Sequence, residues 1–154
     1  MGKERPPLIK FTSNLYRITQ GYSDEAMKKY GLSSGTYPFL LMLNEEEGVS
    51  QSRVCKEVNV DKAMAARSIN KLVELGYVRK ENDEVDTRAY KLYLTDKAKA
   101  IIPELRAVMK GWVDIITDDF DEEEKDMIAK LTERALNNAR RYKESKLIED
   151  DKNE

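Results

Sequence analysis

The feature that most constrains this chain is a change of periodicity between Ser50 and Thr95. Ser50 precedes a short helical segment, Gln51-Ser52-Arg53-Val54-Cys55-Lys56-Glu57-Val58. A serine there suits an N-cap, because its oxygen accepts a backbone N–H of the first turn. Asn59 follows, a residue that tolerates the left-handed conformation a tight inter-helix turn demands. Asp61 caps a second helix and places its charge at the positive end of the helix dipole. Over residues 62–75 Ala65, Ile69, Leu72 and Val73 recur at helical spacing and predict a buried stripe. Ala63, Ala66, Arg67, Asn70, Lys71 and Glu74 make the opposite face, and Gly76 stops the helix. The period then falls to two. Residues 77–81 and 89–94 read as antiparallel strands joined by the polar loop 82–88.

Helix, tight turn, helix and charged hairpin form, in that order, a winged helix-turn-helix, which lays its second helix in the DNA major groove. The flanks are helical. Leu8, Phe11, Leu15, Ile18 and Tyr22 form a narrow apolar seam whose partner is either another helix of this chain or a second subunit. Gly31 fits the end of that helix. The next helix starts from Ser33, Ser34 or Thr36; with Thr36 as cap, Pro38 falls at N2, where its missing N–H costs nothing. Thr95 caps a long helix with apolar positions from Ala98 to Ile116 and Pro103 inside it, and Asp121 caps a last one. The expected fold class is mainly α with a small β-hairpin wing. A winged lobe at 33–95 is flanked by dimerisation helices at 8–30 and 96–145, with a flexible tail at 146–154, all in one domain. Leu8, Phe11, Leu15, Ile18, Trp112 and Leu131 are the dimer-interface candidates.

Composition removes other classes. There is no histidine, which excludes Ser-His and Cys-His nucleophilic catalysis and leaves one cysteine and carboxylates as a poor metal set. Neither paired catalytic groups nor a glycine-rich phosphate loop occurs, so no enzyme, metal or cofactor is expected. No membrane-length apolar run and no secretory h-region are present, and the single cysteine cannot form an internal disulfide; these point to the cytoplasm. The net charge of −2 looks wrong for a DNA binder. Its distribution answers the objection: residues 50–100 carry eleven bases against eight acids, and residues 118–154 carry eight against thirteen.

Ala63 and Ala66 let a helix approach base edges closely, Arg67 and Asn70 offer hydrogen bonds to bases or phosphates, and Lys71 suits phosphate. Arg88 suits a minor groove, with Asp86 placed to orient its guanidinium. The full set of candidate DNA contacts is Ser50, Ser52, Arg53, Lys62, Ala63, Ala66, Arg67, Asn70, Lys71, Asp86, Arg88 and Lys91. The pattern Asp61-Lys62, Arg67-Ser68-Ile69, Leu72, Leu75-Gly76-Tyr77-Val78, Asp86-Thr87-Arg88 and Leu92-Tyr93-Leu94-Thr95, with Phe120-Asp121-Glu122-Glu123-Glu124 downstream, resembles the MarR family of transcription regulators over residues 8–145. The resemblance implies a homodimeric winged-helix repressor or activator. Its first and last two helices would form the dimer interface, and a phenolic or other small effector would release DNA. Ala66 stands where the family often has Thr, Val85 where a polar wing residue is usual, and Ala98 where Gly is frequent. Cys55 is expected to be a buried structural thiol. Tyr16 and Tyr37 are candidate aromatic walls of an effector pocket, and Lys10 or Arg17 a candidate cation for an anionic ligand. The competing reading is a winged-helix protein–protein module that does not bind DNA.

Overall fold

The computed structural model describes residues 2–3, 6–86 and 88–153. Helices α1 (Leu8–Met27), α2 (Tyr37–Glu45), α3 (Gln51–Val58), α4 (Lys62–Glu74), α5 (Asp96–Ile116) and α6 (Glu122–Asn153) are joined by a small sheet of β1 (Val49–Ser50), β2 (Val78–Asn82) and β3 (Tyr90–Leu94). The mainly helical class and the hairpin wing are as expected. The chain divides into two compact units, Met1–Trp112 and Val113–Glu154. No described helix is long and apolar enough to cross a membrane.

In the first unit, α1 ends in a 3₁₀ turn, Lys28–Tyr30, and Gly31 takes the left-handed conformation at φ 72°. Thr36 occupies the N-cap of α2 with Pro38 in the first turn. Its hydroxyl accepts from the Ser33 N–H at 2.9 Å instead of capping α2. Ser50 Oγ accepts from the Arg53 N–H at 3.1 Å, and the Asp61 carboxylate from the Met64 N–H at 2.7 Å, so α3 and α4 start at the expected caps. Asn59 between them has φ 58° and is the one non-glycine described residue with positive φ.

The sheet order is β1-β3-β2, all antiparallel. Val49 lies opposite Leu92, and β2 pairs along β3 from Val78 opposite Leu94 to Asn82 opposite Tyr90. Sequence reading missed β1 because two residues carry no periodicity; its pairing is set by β3. The core gathers Phe39, Leu40 and Leu43 of α2, Val54 of α3, Ala65, Ile69 and Leu72 of α4, Leu92 and Leu94 of β3, and Ala98 and Leu105 of α5. Cys55 is half-buried and packs against this core. One stripe assignment is corrected: Val73 is 38 % exposed, while Ser68 is buried. Ser68 lies three residues after Ala65 and four before Leu72, on the inner face, whereas Val73 is turned about 100° from Leu72.

Thr95 Oγ1 accepts from the Ala98 N–H at 3.2 Å and caps α5 as expected. Pro103 lies inside α5 on its exposed side and has no N–H to donate to the carbonyl four residues before it. Trp112 stacks on Tyr22 at 4.6 Å between centroids, and its Nε1 donates to Thr19 Oγ1 at 2.8 Å, so this indole ties α5 to α1 within the chain. Leu8, Phe11, Leu15 and Ile18 are between 41 and 62 % exposed, leaving the seam of α1 uncovered.

In the second unit a reciprocal capping box opens α6. The Glu124 N–H donates to Asp121 Oδ1 at 2.8 Å and the Asp121 N–H to Glu124 Oε2 at 3.0 Å. Met127, Ile128, Leu131, Leu136 and Tyr142 are exposed along it. The flexible tail expected at 146–154 is instead helical through Asn153. Lys146, Leu147, Glu149 and Lys152 favour helix, and Lys146 pairs with Glu149 at 3.0 Å, one helical turn on.

The left-handed turn at Asn59 gives a direct stability test. Asn59→Gly should leave urea unfolding nearly unchanged, because glycine adopts this conformation freely. Asn59→Val should lower stability by about 1–2 kcal/mol, the usual cost of the left-handed region for a side chain with a Cβ.

Candidate nucleic-acid interface

The outer face of α4 follows from its inner one. With Ala65, Ile69 and Leu72 fixed in the core, Lys62, Ala63, Arg67, Asn70, Lys71 and Glu74 are exposed and Ala66 is half-exposed. Among the described residues, Lys62, Arg67 and Lys71 pair with no carboxylate. A helix with alanines at its centre and uncommitted cations around them suits close approach to a polyanion.

The other candidates differ in what already holds them. Ser50 lies opposite Lys91 across the β1–β3 pairing, so the structure brings these two together at the entry to α3. Ser52 is exposed in the first turn of α3. Arg53 is gripped on both sides, by Glu46 and by Glu57, each at 3.2 Å.

The wing is a built turn. Asp83 Oδ1 accepts from the Val85 N–H at 2.8 Å and the Asp86 N–H at 3.3 Å. The Asp83 N–H donates to the Ala89 carbonyl at 3.1 Å, and the Ala89 N–H to the Asp86 carbonyl at 3.0 Å. Those donors hold the Asp83 carboxyl below its ordinary range. Val85 stands at the tip, 96 % exposed. The expected grip of Asp86 on the Arg88 guanidinium is corrected. Asp86 Oδ1 accepts from the backbone N–H of Arg88 at 3.0 Å, which spends the carboxylate on the turn and leaves the exposed guanidinium outside it. Thr87, part of the wing motif, lies outside the described residues.

Sequence reading passed over Lys80 on β2. Its Nζ donates to Asn70 Oδ1 at 2.9 Å, joining wing strand to α4. Nothing in the local sequence marks it, because the pair is ten residues apart and is made by the fold.

A cavity of about 210 Å³ also opens in the first unit. Tyr16, Thr19, Gln20 and Ser23 of α1, Tyr37 and Phe39 of α2, and Val58, Asn59, Val60 and Met64 around the inter-helix turn line it. Tyr16 and Tyr37 thus share one wall system. Lys10 and Arg17 do not line it and stand exposed on α1. Tyr16, Gln20 and Ser23 recur at helical spacing, which turns Arg17 about 100° from Tyr16. Burial raises the Tyr37 phenol above its ordinary value, partly opposed by the Ser23 hydroxyl. A wider depression of about 580 Å³ in the second unit is lined by the polar residues Arg134, Asn137, Asn138, Arg140, Arg141 and Glu144 of α6.

Comparison with known proteins places these features. A family profile described as the MarR family matches residues 30–89. The chain is 31 % identical over 119 residues to the HTH-type transcriptional regulator BilQ of Clostridioides difficile, covering 77 % of this chain and 80 % of that one. The crystal structure of a MarR transcriptional regulator from Methanosarcina mazei Go1 is similar at a TM-score of 0.82 and 35 % identity, over 86 % of this chain and 95 % of that one. A MarR family regulator from Listeria monocytogenes, complexed with a 26mer DNA, shares the fold at a TM-score of 0.82 and 18 % identity, over 91 % of each chain.

The wing turn responds to acid with a defined sign. Because the Asp83 carboxyl is held low, its contribution is complete above the ordinary carboxylate pKa of about 4 and is lost as pH falls through the lower folded value. Amide exchange at Val85 and Asp86 should therefore lose protection in strong acid, and Asp83→Ala should lose the same protection at neutral pH. Equal protection in that variant would show that the carboxylate does not hold the turn.

Proposed function

The chain belongs to the MarR family of transcriptional regulators, and from that premise we propose that it is a sequence-specific DNA-binding repressor, acting as a homodimer on a near-palindromic operator. The observation that carries this reading is the uncommitted outer face of α4 beside a hydrogen-bonded wing. Lys62, Arg67 and Lys71 surround Ala63 and Ala66, and Arg88 stands exposed at the hairpin. In this reading α4 enters a major groove and Arg88 the adjacent minor groove, where the negative potential is deepest over A/T-rich DNA. Ser50, Ser52 and Lys91 meet the phosphate strand, as does Arg53 once a phosphate displaces one of its carboxylates. The Listeria protein of the same fold is complexed with a 26mer DNA, which supports reading this lobe as a DNA binder. A repressor needs no further chemistry, since occupying a promoter suffices.

The uncovered seam of α1 (Leu8, Phe11, Leu15, Ile18) and the exposed apolar positions of α6, Leu131 among them, each supply apolar area for a second copy. A two-fold dimer then places two recognition helices about one helical turn of DNA apart. The 210 Å³ cavity is the proposed effector site. Its lining holds no charged side chain among the described residues. Tyrosines, Gln20, Thr19 and Ser23 therefore favour an uncharged, hydroxylated aromatic over the anion that Lys10 or Arg17 would have served.

Selection from random duplex DNA, followed by binding measurements on the selected duplex, tests the reading. The selected sequence should be a near-palindrome, and affinity should fall steeply with salt. Arg67→Ala should cost about 1–3 kcal/mol if it reads a base and relax preference at one position per half-site. Arg88→Ala should weaken binding most on A/T-rich flanks. Unchanged affinity in both variants would overturn the docking, and no binding to any duplex would favour the protein–protein module. Light scattering at micromolar concentration should give a dimer. Neutral phenols at millimolar concentration should raise the melting temperature and weaken DNA binding together, by linkage.

A further inference from the structure

We infer that Lys80 is a DNA-contacting and specificity-determining residue, whose ammonium meets the phosphate strand between the groove read by α4 and the groove entered by the wing, and which fixes Asn70 as a hydrogen-bond donor toward DNA. This rests on the DNA-binding reading above and adds a residue and a rule of readout to it.

The argument starts from three contacts. Lys80 Nζ donates to Asn70 Oδ1 at 2.9 Å and lies 5.7 Å from the centroid of the Tyr90 ring. Among the described residues it pairs with no carboxylate, although its neighbour Arg79 is engaged by Glu81 and lies over the Tyr93 ring. An ammonium has three donors, so Lys80 keeps two after the bond to Asn70. It is therefore a positioned cation with unused donors, bridging β2 and the middle of α4.

Its position decides its partner. When a helix occupies a major groove and its hairpin the adjacent minor groove, the sugar–phosphate strand that separates those grooves must pass between helix and hairpin. The Asn70–Lys80 bridge spans that gap. A cation in it faces phosphate oxygens and neutralises one.

The same bond sets what Asn70 offers. An ammonium has no acceptor, so it can face only the amide oxygen; the amide NH₂ opposite it would set donors against donors. The oxygen of Asn70 is drawn toward the wing and its NH₂ is left to point outward. Bidentate recognition of adenine requires both the oxygen and the NH₂ of the amide in the plane of the base. Lys80 takes one of the two lone pairs of that oxygen, so adenine would have to share it, while the NH₂ presents donors that suit the acceptors of guanine, the thymine O4 or a phosphate.

Lys80→Met and Lys80→Arg test both halves, with Asn70→Ala as reference. Methionine keeps an unbranched stem beside Tyr90 and removes charge and donor; arginine keeps both. Lys80 is exposed, and thermal unfolding of each variant checks that the fold is intact. On the duplex selected by the unaltered protein, Lys80→Met should reduce the slope of log K against log salt by about 0.9 per lysine engaged, while Lys80→Arg keeps it. In repeated selection, Lys80→Met should gain adenine at the position where Asn70→Ala loses its preference. An unchanged salt slope overturns the phosphate contact, and an unchanged selected base overturns the orienting role. If the unaltered protein binds no duplex, the DNA reading fails and this inference with it, an outcome distinguished by the unaltered protein alone.

Discussion

One threonine hydroxyl sets the frame on which α4 and the wing are mounted. Thr95 Oγ1 donates to the Gly76 carbonyl at 2.6 Å and accepts from the Ala98 N–H at 3.2 Å, while its own N–H donates to the Tyr77 carbonyl at 3.0 Å. Gly76 closes α4, Tyr77 leads into β2, Thr95 ends β3 and Ala98 begins α5. Four elements meet at this one residue, whose hydroxyl joins the end of α4 to α5 by one donated and one accepted bond and whose N–H reaches the start of β2. Tyr77 adds a second tie, its hydroxyl donating to the Tyr30 carbonyl at 2.7 Å under the Lys97 ammonium. The angle between α4 and the hairpin is therefore fixed by short-range bonds at their common root, which is what simultaneous entry into two grooves requires.

Electrostatics then explains how a chain of net charge −2 keeps a cationic face. Glu74 stands on the α4 face itself, but most of the other acids near it are held elsewhere. Glu46 and Glu57 are committed to Arg53, Glu81 to Arg79, Asp61 to the α4 N-terminus, and Asp83 and Asp86 to backbone N–H groups of the wing. Each performs a structural task at a defined atom, and the cations of α4 are left unmatched. The Arg53 pairs are roughly half exposed, and pairs of that kind contribute about 0–1 kcal/mol, so a phosphate can replace a carboxylate there at small cost.

Much of this was legible in the sequence because the signals are local. Ser50, Asp61 and Asp121 cap within three residues of themselves, and Asn59 adopts the conformation its chemistry tolerates. What was not legible is made by the fold. Strand β1 exists only because β3 passes it. Ser68 is inside and Val73 outside because packing fixes the helix phase more sharply than hydrophobicity does. Asp86 holds a backbone N–H where a side-chain pair was expected, because the tight turn brings that donor nearer. Lys80 reaches Asn70 across ten residues of chain, a proximity that no spacing rule predicts. Tyr16 and Tyr37 do share a cavity, but one turned away from the cations on the same helix.

The cavity and α4 share a wall, so under the proposed function an effector there would have a route to the DNA-facing helix. Val58, Asn59 and Val60 line the cavity and also form the turn that sets the start of α4; Met64, also in the lining, donates its N–H to the Asp61 cap. An occupant that pushes this wall acts on the tight turn that Asn59 closes in the left-handed conformation. Small displacements there are passed on, because α4 is packed through Ala65, Ile69 and Leu72 and moves as a unit. The far end of α4 is anchored through Gly76 and Thr95, so displacement at its start becomes tilt about that anchor. In the proposed docking, such a tilt would change how far Lys62, Ala63 and Arg67 enter a groove while leaving the root of the wing in place. A ligand acting this way would weaken contacts at the N-terminal half of α4 first and the wing contacts least.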